Sequence, residues 1–124
     1  MICHCADCQT LSGSAFRTVV FTREDTFKLL SGKLTIYVKT GESGTKRSQS
    51  FCPECGTPIY STTIGEGPKV HVIRVGTARQ RDQLVSKLQL WCRSSQRWLH
   101  DLGSIGKLET QPAFTQKGAV EVIQ

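Results

Sequence analysis

Five of the six cysteines fall in two tight clusters, Cys3, Cys5 and Cys8 in the opening CHCADC and Cys52 and Cys55 in FCPECG, with Cys92 apart. Crowded thiolates repel one another unless a cation neutralises them, so this spacing points to metal ligation rather than to chance. CxC and CxxC spacings set sulfurs on a tight turn within reach of one ion, as zinc–sulfur bonds of about 2.3 Å require. Cys3, Cys5 and Cys8 are therefore expected to grip one zinc together. Three thiolates leave the fourth tetrahedral position free, which is how catalytic zinc sites are built, whereas four ligands close a structural one. Cys52 and Cys55 form half of a closed site, with Pro53 shaping the turn and Gly56 permitting the backbone to reverse after the second ligand.

The rest of the composition narrows the setting. A chain of 124 residues is expected to form one domain, residues 1–124, with a single core. No apolar run approaches the ~20 residues that span a bilayer, and residues 1–20 carry no basic segment followed by an apolar one, so a reducing cytoplasmic setting is expected. In that setting clustered cysteines serve metals or redox chemistry rather than a disulfide framework. A thioredoxin-type CxxC needs an alternating α/β pattern, and none surrounds Cys52 and Cys55.

The net charge of +6 makes nucleic acid or a small anion a conceivable partner. The basic residues are scattered, however. The densest stretch holds Arg74, Arg79, Arg81, Lys87, Arg93 and Arg97 against Asp82 alone, and a solvated face is the expected reading of it.

Short β-type runs separated by turn residues dominate the chain. Strands are expected over 15–24, 27–32, 33–40, on both sides of the cysteine knuckle in 48–63, over 69–77 and over 87–93. Glycine-bearing loops at 41–47 and 65–68 break them. Helical turns are expected at 78–84 and within 94–103, QPAF reads as extended or turn, and AVEVI as a short terminal strand. The fold class is mainly β.

CHCADCQTLSGSAF, followed some forty residues later by FCPECGTPIYS, resembles the glutathione-dependent formaldehyde-activating enzyme family, which includes the centromere protein V group. VGTARQRD, the Trp98 region and QPAF follow in the family's order, so the resemblance covers residues 2–114. It implies a β-tent fold of several short antiparallel sheets stapled by zinc. It also implies a catalytic zinc on Cys3, Cys5 and Cys8, and a structural zinc on Cys52 and Cys55 plus a CxC from an earlier strand. The implied reaction adds the glutathione thiol to formaldehyde to give S-hydroxymethylglutathione, a carbon–sulfur lyase reaction in reverse. The implied partners are a small thiol such as glutathione and an aldehyde, with neither nucleic acid nor membrane.

The family's GxCxCG segment lies some twenty residues before the trio, whereas this sequence begins two residues before Cys3. Either that strand is encoded upstream or the chain is a shortened member with at most one well-occupied zinc, so that one or two zinc ions per chain are expected across the two cases. In the second case Cys52 and Cys55 stay as thiols, recruit Cys3 or His71, or join Cys5 and Cys8 in one CxxC…CxxC site. That last arrangement is a zinc-ribbon-like binding module, the competing function class.

The remaining candidates have plainer expected roles. His4 and Asp7 are expected as exposed turn residues, with proton transfer or orientation of a ligand as the functional alternative. SGSAF, with Ser12 and Ser14, either lines a pocket or is a turn. Arg17 is expected at the surface, its alternative being a bidentate contact to a carboxylate. His71 is expected as a core or edge histidine, His100 at the surface, Trp91 and Trp98 in the core, and Cys92 as a small buried apolar residue.

Overall fold

A computed structural model describes residues 1–111. Seven strands form one sheet in the order β3-β4-β5-β6-β2-β1-β7, comprising β1 (Ile2–Cys3), β2 (Arg17–Phe21), β3 (Thr35–Thr40), β4 (Lys46–Phe51), β5 (Pro58–Thr63), β6 (Val72–Arg74) and β7 (Gln89–Leu90). The mainly β class is borne out. The several short antiparallel sheets are corrected to a single mixed sheet, because β1 pairs with β2 on one side and, in parallel, with β7 on the other.

Strands β3 to β6 form an antiparallel meander built on β-branched alternation. The β3–β4 turn closes through Gly41 N–H to Thr45 O at 2.9 Å, with Gly44 at φ +80 in the left-handed region that glycine tolerates. The expected strand over 27–32 is absent. Both sides of β2 are taken by β1 and β6, so this segment does not pair beside the strand it follows. Instead Phe27 stacks on His71 at 4.4 Å and leans on Tyr60 at 4.7 Å. The strands expected over 69–77 and 87–93 shorten to β6 and β7, with 3-10 turns at Val75–Thr77 and Cys92–Ser94. Further 3-10 turns at Arg81–Gln83 and Arg97–Ser104 match the expected helical turns. Residues 112–124, with most of QPAF and all of AVEVI, lie outside the described residues.

Two elements have no counterpart in the sequence reading, the two-residue strand β1 and a short helix. Helix α1 (Ala6–Ser12) connects β1 to β2 and ends at Gly13, whose φ of +61 suits a glycine C-cap. Gln9 pins this short helix: its Nε2 donates to His4 O at 2.7 Å and to Ser94 O at 2.9 Å, and its Oε1 accepts from Gln96 Nε2 at 2.9 Å.

The apolar core is small. Val19, Val72 and Val75 are the buried hydrophobic residues among those described, beside the buried polar residues His4, Arg17, Ser50, Ser61 and Arg74. Arg17, Ser61 and Arg74 of this set, together with Val19 and Val72, line a cavity.

Candidate metal centre and its cavity

Strand alternation determines what lines the cavity. Residues directly opposite across a pair share a face, as do residues two apart along a strand. Leu90 pairs with Cys3, Cys3 with Arg17, and Val19 with Arg74. Val72 pairs with Ser61, Ser61 with Gln49, and Arg47 with Lys39. All these side chains therefore fall on one face of the sheet. Helix α1 lies against that face, with Asp7, Cys8 and Leu11 at helical spacing, and the cavity between has a volume of about 320 Å³.

The three cysteines converge because strand end and helix start are adjacent. Cys3 closes β1, Cys5 is the N-cap of α1, and Cys8 lies in its first turn. Cys5 Sγ takes the place of a capping hydroxyl, accepting from Cys8 N–H at 3.3 Å. The three sulfurs lie within 4.8 Å of one another, the one such group of His, Cys, Asp or Glu among the described residues. Tetrahedral zinc with bonds of about 2.3 Å sets sulfurs about 3.8 Å apart, so roughly an ångström of side-chain adjustment fits the trio to the ion. Burial pushes the Cys3 and Cys8 thiols up from their ordinary range, and the neighbouring cysteines raise Cys8 further. A divalent cation reverses this, since it stabilises the thiolates that burial and crowding oppose.

Arginines ring the trio. Arg17 and Arg74 are each 7% exposed, and Arg47 and Lys39 line the same cavity. Arg74 donates from Nη2 to Gln49 Oε1 at 2.7 Å and from Nη1 to Val72 O at 3.2 Å, while its Nε has no partner. Burial, then the charge of Arg17, push its pKa down to about 10. Asp7 is held by Lys39 Nζ at 3.2 Å, tying helix α1 to the β3–β4 hairpin.

The profile of the glutathione-dependent formaldehyde-activating enzyme matches residues 1–94. The chain belongs to that family. No curated protein gives a match. The family profile spans both cysteine clusters, and the structure keeps them apart.

Cys52 and Cys55 lie on the β4–β5 knuckle, closed by Cys52 N–H to Thr57 O and Gly56 N–H to Cys52 O, both at 2.9 Å, with Gly56 at φ +72. Cys55 is exposed, and hydrogen bonding with the Thr57 hydroxyl at 3.0 Å, then its backbone N–H, holds the thiol below its ordinary range. Among the described residues no third His, Cys, Asp or Glu joins this pair. Recruitment of Cys3 or His71, and the single CxxC…CxxC site, are therefore not formed.

Several expectations for individual residues are corrected in this family member. His4 is buried rather than exposed, at 3% exposure, with Nε2 bonded to Gln89 Oε1 at 2.8 Å and its ring edge-on to Phe16. Asp7 is partly exposed but engaged by Lys39. Arg17 and Arg74 are buried, so the solvated-face reading fails at Arg74. Their signal was in the strands: Arg17 shares parity with Val19 and Phe21, and Arg74 with Val70 and Val72, which places both on the inward face. Trp91 and Trp98 are exposed, and so is Cys92. Trp91 adopts φ +59, in the left-handed region that bulky residues avoid, and lines the trio's cavity with Arg93 over its ring at 4.8 Å. The core-or-edge expectation for His71 is corrected: it leads into β6, which is flanked by β5 and β2, and it is half-buried between Phe27 and Tyr60, with burial lowering its pKa. SGSAF holds the end of α1, with Ser12 Oγ donating to Cys8 O at 2.7 Å, and Ser12 and Phe16 line a neighbouring cavity of about 240 Å³ rather than the trio's own.

Proposed function

We propose that this chain is a zinc-dependent carbon–sulfur lyase of its family's kind, joining a thiol such as glutathione to formaldehyde or a related small aldehyde. The observation that carries the reading is the trio of sulfurs within 4.8 Å of one another, opening into a cavity of about 320 Å³. Cys3, Cys5 and Cys8 would hold zinc, which when bound supplies Lewis acidity and lowers the pKa of a bound thiol. In the reaction the substrate sulfur bonds to the carbonyl carbon, the carbonyl π pair moves to oxygen, and the thiol proton ends on that oxygen.

The chain's own residues position these events. The register Cys3↔Arg17 sets both side chains on the cavity's face, and Gln9 fixes the helix that carries Cys8. His4 is clamped by Gln89 between two ligands, which restrains the backbone from Cys3 to Cys5. Cys52 and Cys55 are proposed as half of a second, structural zinc site, and the sheet with its knuckle as this family's β-tent.

Two measurements test the reading together. Anomalous scattering at the zinc edge should place an ion on Cys3, Cys5 and Cys8. Exchange spectroscopy on labelled formaldehyde with glutathione should show interconversion faster than buffer alone, and Cys5→Ser should remove the gain. An ion on the trio with no acceleration would overturn catalysis; no ion there would overturn the metal centre.

A further inference from the structure

Among the described residues, Arg17 and Arg74 are buried cations without an acidic partner. Each is 7% exposed, and the ion pair found among the described residues is Lys39 with Asp7, elsewhere on the cavity wall. The two guanidiniums are neighbours, because Val19 pairs with Arg74 and Arg17 lies two residues along the same face, and each therefore feels the other's charge. Burying one guanidinium uncompensated is costly, and burying two side by side adds their repulsion. A fold that keeps both at the centre of its sheet has a negative charge in mind.

The trio alone does not supply enough of it. Arg17, Arg47, Arg74 and Lys39 against Asp7 leave the cavity at plus three. Three thiolates around a divalent cation carry a single negative charge, so an excess of plus two remains. Arg74 also keeps an unpartnered Nε, buried and free to donate. Arg17 lines a second, largely apolar cavity of about 470 Å³, with Tyr37, Phe51 and Pro58, as well as the trio's own. It therefore borders both the trio's cavity and the apolar one beside Phe51.

We propose that Arg17 and Arg74 form a carboxylate seat, so that the site selects thiols carrying a carboxylate over neutral thiols. This rests on the thiol-addition reading and adds to it the property of the thiol that is recognised. A guanidinium fork binds a carboxylate through paired, charge-assisted hydrogen bonds, and the surrounding low dielectric strengthens them. Arg17, lying across from Cys3, would anchor the acid end while the substrate sulfur faces the trio.

The test uses S-methylglutathione, whose blocked sulfur can neither add to an aldehyde nor bind zinc as a thiolate, and its diethyl ester, which lacks both carboxylates. Titrated calorimetrically into the wild-type protein, the acid should bind at least tenfold tighter than the ester. Arg17→Lys, which keeps the charge but removes the fork, should cost the acid at least fivefold, leave the ester unchanged and leave zinc content unchanged. Equal binding of acid and ester by the wild type would overturn the seat, as would an intact acid preference in Arg17→Lys. The wild-type comparison decides the matter even if the variant does not fold. Acid preference without accelerated thiol addition would leave the seat standing and remove the proposed reaction. Acceleration without acid preference would do the reverse.

Discussion

At the scale of single residues, the same side chain type behaves differently according to what surrounds it. Cys3 and Cys8 have their thiols pushed up by burial, whereas Cys55 is exposed and held down by Thr57. Thiolate is the nucleophile, so alkylation reports these differences directly. In metal-free protein near pH 8, iodoacetamide should label Cys55 before Cys3 and Cys8, as peptide mass spectrometry would show. Because the folded pKa of Cys55 is lowered, its labelling should persist to lower pH than that of an ordinary thiol and fade as pH falls through that lowered value. Thr57→Val should move the fade upward; a rate order led by Cys8 would contradict this account. That the trio would gather was legible in its spacing. That Arg17 and Arg74 are buried was legible only in strand parity, which a reading for charge density along the chain passes over.

Among the elements, the knuckle and the short helix show how glycine positions make the cysteine geometry. Gly56 needs φ +72 to turn the chain after Cys55, and a Cβ built there meets nothing within 4 Å. The cost of Gly56→Ala is therefore backbone strain alone, about 1 kcal/mol. The denaturant midpoint should fall accordingly with the slope unchanged, and a loss of several kcal/mol would mean that the knuckle packs more tightly than described. Helix α1 was missed because seven residues with Cys5 in the capping place carry little periodic signal, and its stability rests on the bonds of Gln9 to the segment 94–96. The strand expected at 27–32 gave way to the packing of Phe27 on Tyr60 and His71, a contact between distant residues that local hydrophobicity does not report.

For the molecule as a whole, three buried aliphatic side chains make a slender core, so metal binding should carry a visible share of stability. A ligand present at a thousandfold its dissociation constant adds about 4 kcal/mol. Chelation should then lower the melting temperature by roughly 10 °C or more, a size set by the unfolding entropy of a domain of this length. An unchanged melting temperature after complete zinc removal would show that the fold stands without the ion. No helix among the described residues is long and apolar enough to cross a membrane. By itself the sequence determined the mainly β class, the family and the cysteine trio that could hold a metal, because strand alternation and CxC or CxxC spacing are local properties that survive without coordinates. Only the tertiary structure decided that one mixed sheet carries the trio, that Cys52 and Cys55 stand apart from it, and that two buried arginines with no acidic partner among the described residues share its cavity. Those facts depend on which strands pair and in what register, and register is set by contacts between residues distant in the chain.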